Sequence, residues 1–214
     1  MTQAALIESP VTYLRPVSSS VESTKRVRIV DGALACIAAK GLRSTTVDDV
    51  AHAAGMSRAT LYRSMPGGRD AIIQATAETE VARFFSALAV AMGGAVDLEE
   101  ALVSGMTTSA RWISDSDALS TLLDVEPWVV LRHLSFGQMD RALAVAVDFT
   151  SPFFGRWLEP EQAARAADWA VRIVVSYLLD PHPGADLTNL DQVRSLVRRF
   201  VLPGVDALQE HHTA

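Results

Sequence analysis

An all-α fold is predicted by three observations. Apolar residues recur at three- and four-residue spacing along most of the chain, and no stretch between turn signals alternates with period two. Helix-length segments are also separated by Gly, Pro or capping Ser, Thr, Asp and Asn. With 214 residues, 49% of them apolar, the chain has enough material for a small helical domain followed by a larger one.

Residues 1–22 carry few charges, two prolines (Pro10, Pro16) and a Ser18-Ser19-Ser20 run, the composition of a disordered arm. From Thr24 the pattern is helical, with Val27, Val30, Leu34 and Ile37 on one face and Lys40-Gly41 as a basic last turn and stop. Lys25, Arg26 and Arg28 sit at the start of this helix, where cations oppose the helix dipole; an external anion would account for them. Cys36, the single cysteine, falls in the apolar pattern and reads as a small core residue.

A short helix follows from Val47 to about Ala54, with Thr46 as its N-cap and Asp49 completing a capping box. Gly55 supplies a left-handed stop, Met56 an apolar anchor, and Ser57 the cap of a third helix from Arg58 to about Met65. Helix, tight glycine turn, helix is the helix-turn-helix arrangement, here over about residues 45–64. Pro66-Gly67-Gly68 breaks the chain. A long helix then runs from Arg69 to about Met92, with Ile73, Ala77, Val81, Phe84 and Leu88 on one face, and ends at Gly93-Gly94. The segments 97–114, 117–125, 127–135, 138–158, 161–180 and 189–210 are helical as well, and Pro203-Gly204 should kink or end the last of them.

Charge divides the chain. Residues 22–70 carry eight Lys/Arg against five acids, whereas 71–214 carry ten against nineteen, so a basic N-terminal piece precedes an acidic remainder. That asymmetry suits a DNA-binding head with a separate effector domain. In a helix-turn-helix the second helix enters the major groove and its N-terminal residues meet base edges. Here Arg58 is placed for a bidentate contact with guanine, and Ala59 and Thr60 for a thymine methyl. Thr46, Tyr62 and Arg69 suit phosphate, Ser57 and Arg63 complete the presented set, and Leu61 points back into a small core with Val50 and Met56.

The stretch "TTVDDVAHAAGMSRATLYRSMPGGRDAI", 45–72, resembles the DNA-binding signature of the TetR family of bacterial transcriptional regulators. The likeness rests on Thr46, Val50, Ala51, Ala54, Gly55, Ser57, Tyr62 and Arg69. Met65 stands where the family has Phe, and the loop before Arg69 has one extra glycine. The resemblance implies a DNA-binding domain over 23–83 and an effector-binding and dimerisation domain over 84–214. It further implies a homodimer that binds a palindromic double-stranded operator, usually as a repressor, and lets go when a small molecule enters the C-terminal domain.

In this family the last two helices commonly build the dimer interface, which places Trp169, Ile173 and Tyr177 with Val193, Val197 and Phe200 at that surface. A helix from Ala163 that is apolar over most of its circumference agrees, since it must be covered on two sides. An effector pocket is expected among the Met and aromatic residues of 97–158. Met106, Trp112, Trp128, Phe136, Met139 and Phe149 are its candidate lining, for a hydrophobic or amphipathic effector. Arg111, Arg132, His133 and Gln138 are candidate polar anchors, though each reads first as a surface residue.

The motifs of common enzyme classes are missing: no G-x-S-x-G, G-x-G-x-x-G, P-loop or H-E-x-x-H occurs. The five histidines have no metal-ligand spacing, so neither metal nor cofactor is expected. Without a signal peptide or a run of about 18 apolar residues, the chain reads as cytoplasmic with no membrane partner. The competing reading is an all-α dimeric small-molecule carrier or interaction module with a vestigial DNA head.

Overall fold

The computed structural model describes residues 20–126, 136–179 and 184–205, with side chains over 24–126, 140–177 and 184–205. Every regular element among them is helical: α1 (Ser20–Lys40), α2 (Val47–Ala53), α3 (Arg58–Ser64), α4 (Gly68–Gly93), α5 (Leu98–Ser114), α6 (Asp117–Val125), α7 (Phe136–Phe154), α8 (Pro160–Leu179) and α9 (Leu190–Leu196). No described helix is long and apolar enough to cross a membrane. The expected helix at 127–135, and with it Trp128, Arg132 and His133, lies outside the described residues, as do the side chains of Phe136, Gln138 and Met139.

The chain divides into two compact units, one of residues 1–83 with 116–135, the other of 84–115 with 136–214. This differs from the unbroken second domain expected from the sequence. The reason is α6, which packs on α1 and is pinned there by the Thr121 hydroxyl donating to the Ala38 carbonyl (2.8 Å). Just beyond α6, the buried Glu126 carboxylate accepts from the Arg43 amide at 2.9 and 3.3 Å, satisfying the loop that follows α1.

In the first unit, Ile29, Ala33 and Cys36 of α1 meet Val50, Ala51, Leu61, Met65, Ile72 and Ala75, with Val47 and Met56 against their edge. Met65 fills the place where the family pattern has Phe, buried like its neighbours. Burial pushes the Cys36 thiol up, which keeps it protonated.

The inner face of α1 is shifted from the one predicted: Val30 and Ile37 are buried as expected, but Val27 is 41% exposed and Ile29, Ala33 and Cys36 complete the face. α1 also begins at Ser20, inside the segment read as a disordered arm. In α4 the expected face is likewise displaced, since Ala77 and Val81 are exposed and Ile72, Ala75 and Thr76 point inward. Close approach of α1 to α2 sets the α1 phase. A Cβ on Gly32 would lie 3.0 Å from the Ala54 nitrogen and 3.2 Å from the Val50 carbonyl oxygen, so the glycine defines the contact side.

The second unit gathers α5, α7, α8, α9 and the last part of α4 around Met92, Leu102, Met106, Phe154, Ala166, Val193 and their neighbours. α8 turns its small residues inward (Ala163, Ala166, Ala167, Ala170), so adjacent helices approach closely. Arg156 clasps the end of α4 by donating to the Gly93 and Ala95 carbonyls. Beyond α9 the backbone widens into a π turn, Val197–Val201, and helical geometry resumes through 205. The helix thus continues past Pro203. Proline has no N–H to offer four residues back, and the Leu202 amide bonds five residues back to Val197.

Candidate nucleic-acid interface and effector cavity

Two caps, the first of them reciprocal, build the helix pair of the first unit. The Thr46 hydroxyl accepts from the Asp49 amide (3.2 Å), and the Asp49 carboxylate accepts from the Thr46 amide (2.9 Å). Lys40 pairs with the same carboxylate, and these hydrogen bonds, Lys40 first and Thr46 next, hold Asp49 well below the usual carboxylate range. Gly55, at φ +62°, then turns the chain into Ser57, whose hydroxyl accepts from the Thr60 amide (3.2 Å) and starts α3. Arg28 reaches from α1 to donate to the Ala54 and Gly55 carbonyls, closing the exposed end of α2. Thr46 and Ser57 therefore spend their hydroxyls shaping the corner.

Because Leu61 is fully buried, the opposite side of α3 is presented to solvent: Arg58, Ala59, Tyr62 and Arg63 are exposed and Thr60 is half-buried beside them. Arg58 donates to the Asp48 carboxylate on α2 (3.1 Å), and its guanidinium lies 5.6 Å from the centre of the Tyr62 ring. Such a surface pair is weak and can be exchanged for a base edge or a phosphate. Tyr62, 40% exposed, rests on Gly68, where a Cβ would come within 3.3 Å of its ring. Arg63 donates to the Thr60 hydroxyl at 3.4 Å.

Two cationic sites expected to meet an anion are instead used inside the protein. The half-buried Arg69 donates through Nε to the Thr45 carbonyl (3.0 Å) and through Nη2 to the Leu42 carbonyl (2.6 Å). The turn between α1 and α2 has carbonyls that need donors, and Arg69 supplies them. At the start of α1, Arg26 is paired with Glu78 (3.3 Å) and Arg28 is held as above, so neither calls for an external anion. Sequence reasoning missed Asp48 as the partner of Arg58. The two are ten positions apart on different helices, a separation that no helical period marks.

The second unit holds a cavity of about 230 Å³ bordered by α4, α5, α7 and α8. Met106 lines it, with Phe84, Leu88, Met92, Phe154 and Val174 among its other walls. Trp112 instead stacks obliquely on Phe84 (centroids 6.1 Å apart), and Phe149 packs between Phe85 and Phe153. Neither lines the cavity, and of the two Trp112 backs a lining residue, Phe84. Arg111 donates to the Thr188 carbonyl (2.9 Å) on the surface and is no pocket anchor.

Of the residues assigned to a dimer surface, Val193 and Val197 are fully buried in the second unit's own core and have no area left for a partner. Their phase on α9 faces α5, with Glu99 paired to Arg194 and Arg198 alongside. Phe200 is 74% exposed, Trp169 is 37% exposed over Gly204, and Ile173 and Tyr177 are half-buried.

A doubly capped helix pair on a small core, with a polar and basic outer face on the second helix, defines a helix-turn-helix DNA-binding regulator. Residues 29–76 match the family model described as bacterial regulatory proteins, tetR family. Two Mycobacterium tuberculosis strains contribute relatives named HTH-type transcriptional regulators, each 29% identical over 176 residues, spanning 82% of this chain and 83% of the relative.

Two solved structures share the fold. The TetR family repressor AlkX of a Dietzia species, implicated in biodegradation of n-alkanes, has a TM-score of 0.54 and 24% identity, with 83% of this chain and 95% of that one covered. The fatty acid degradation regulator FadR of Bacillus halodurans has a TM-score of 0.52 and 19% identity, with 81% and 94% covered. Residues 29–76 thus carry a tetR-type DNA-binding head, and over most of its length the chain is similar to HTH-type transcriptional regulators.

Proposed function

We propose that the chain is a homodimeric repressor that binds a palindromic operator through α3 and leaves it when a small hydrophobic or amphipathic molecule occupies the cavity of the second unit. The observation that carries this reading is the outer face of α3, where Arg58, Ala59, Tyr62 and Arg63 stand exposed above a fully buried Leu61. Arg58 reads guanine, Ala59 and Thr60 touch a thymine methyl, and Tyr62 and Arg63 hold phosphates. Thr46 and Ser57 contribute through the helix ends they cap, and Arg69 by fixing the turn before α2.

Dimerisation is supported by the exposed Phe200 and Trp169 with Ile173 and Tyr177, where a second copy would cover apolar surface. Effector binding is supported by the cavity lined by Met106 and its neighbours.

Selection of bound duplexes from a random pool tests the reading. The expected product is a palindrome with half-sites at least about one helical turn apart, bound by a dimer. Enrichment of no sequence over competitor DNA at near-physiological salt would remove the operator from the account and leave a small-molecule carrier, which the cavity also suits.

A further inference from the structure

Resting on the reading of the cavity as the effector site, we infer that its ligand is an uncharged, compact and largely hydrocarbon molecule whose one polar group is a hydrogen-bond donor, such as a phenol or an alcohol, and that carboxylates and phosphates are rejected. The inference follows from which hydrogen-bonding groups reach the wall. Among the described lining residues none is charged, and only Ser109 and Thr150 are polar.

Each of these hydroxyls has one proton, and each has already spent it. Ser109 donates to the Gly105 carbonyl (2.8 Å) and Thr150 to the Ala146 carbonyl (2.7 Å), both one turn back on their own helices. What they present to a guest is lone pairs. A carboxylate or phosphate entering here would lose its water and meet neither a cation nor a free donor among the described lining residues, which disfavours the charged form strongly. A ketone or ether would leave its acceptor unpaired. A hydroxyl has the same acceptor oxygen but can also donate its proton to Ser109 or Thr150, a hydrogen bond that a ketone or ether cannot make.

The nearby cations do not change this. Arg111 on α5 and Arg172 on α8 are exposed, the first donating to the Thr188 carbonyl and the second held by Asp168. Size sets the second limit: voids of about 150 Å³ admit benzene, so about 230 Å³ admits one ring with a short alkyl chain. Met92 adds tolerance, its flexible thioether lying 3.1 Å from where a Gly105 Cβ would stand.

Calorimetry on the full chain at pH 7.5 with three probes of similar size tests the proposal: 4-propylphenol, 4-propylanisole and 3-phenylpropanoate. 4-Propylphenol is expected to bind about fivefold more tightly than the anisole. The carboxylate is expected to bind at least about a hundredfold more weakly than the phenol. Ser109→Ala combined with Thr150→Val should bring the phenol down to the anisole's affinity and leave the anisole unchanged. Ala146→Phe, which fills the cavity, should abolish binding of all three while the protein stays folded by circular dichroism.

Tight binding of 3-phenylpropanoate, no binding of any probe, or a phenol preference that survives the double variant would each overturn the inference. A parallel mobility shift separates it from the function on which it rests. If the phenol binds with these preferences but leaves DNA affinity unmoved, the pocket chemistry holds and release by an effector fails. If the carboxylate binds and releases DNA, release holds and the proposed ligand chemistry falls.

Discussion

The two units place their large apolar side chains to opposite ends. In the first, Leu61, Ile72, Val50 and Ile29 close on one another, and the small helices α2 and α3 are held by that core, their caps and the contacts of Arg28 and Lys40. In the second, Met92, Met106, Leu102 and Phe154 are as deeply buried, yet they surround about 230 Å³ of space. Close packing fixes a short helix against its neighbours, which a reading head needs. The second unit instead leaves space between its helices, with the adaptable side chains of Met92 and Met106 on its wall, as the proposed effector site requires.

This contrast is broken most severely by opening the head. Leu61→Ala should cost roughly 2–5 kcal/mol and remove DNA binding with it, read by thermal denaturation and mobility shift. Next in size is Arg58→Ala, which should lose about 1–3 kcal/mol of discrimination at one base of each half-site while melting as the parent does. Thr46→Ala should then cost about 1 kcal/mol through the lost cap of α2.

Asp49→Asn probes the same cap by pH. The folded carboxylate is depressed by Lys40 and Thr46, so its contribution is complete above the unfolded value of about 4 and is lost as pH falls toward the lower folded value. The stability gap between parent and variant should be constant at neutral pH and narrow below about pH 4. Smallest is the filling substitution Ala146→Leu in the second unit. By occupying void it should raise stability by up to about 1 kcal/mol, where an added side chain in the head's core would lower it.

Much of this architecture was legible in the sequence because it depends on local rules. Thr46 with Asp49, Gly55 and Ser57 specify the corner within a dozen residues, and each occupies the role that its chemistry predicts. What escaped depends on approach between distant segments. The phase of α1 is set by Gly32 against the α2 backbone, and the attachment of α6 to α1 by Thr121 and Glu126.

Arg69 shows the same limit. Its position at a helix start suggests an anion, but the donors are taken by the Leu42 and Thr45 carbonyls, which are 24 to 27 residues away in sequence. Val193 and Val197 show it for surfaces. Both sides of an amphipathic helix near a core are apolar, and periodicity alone does not say which of them meets the protein's own interior.

The account's central claim is that the exposed face of α3 reads DNA. Competition mobility shift with the selected duplex tests it most directly, comparing the parent with Arg58→Ala and Tyr62→Ala. The prediction is that Arg58→Ala relaxes preference at a single symmetric base position, while Tyr62→Ala weakens binding evenly across sequences and flattens its salt dependence. Unchanged affinity and sequence preference in both variants would contradict it.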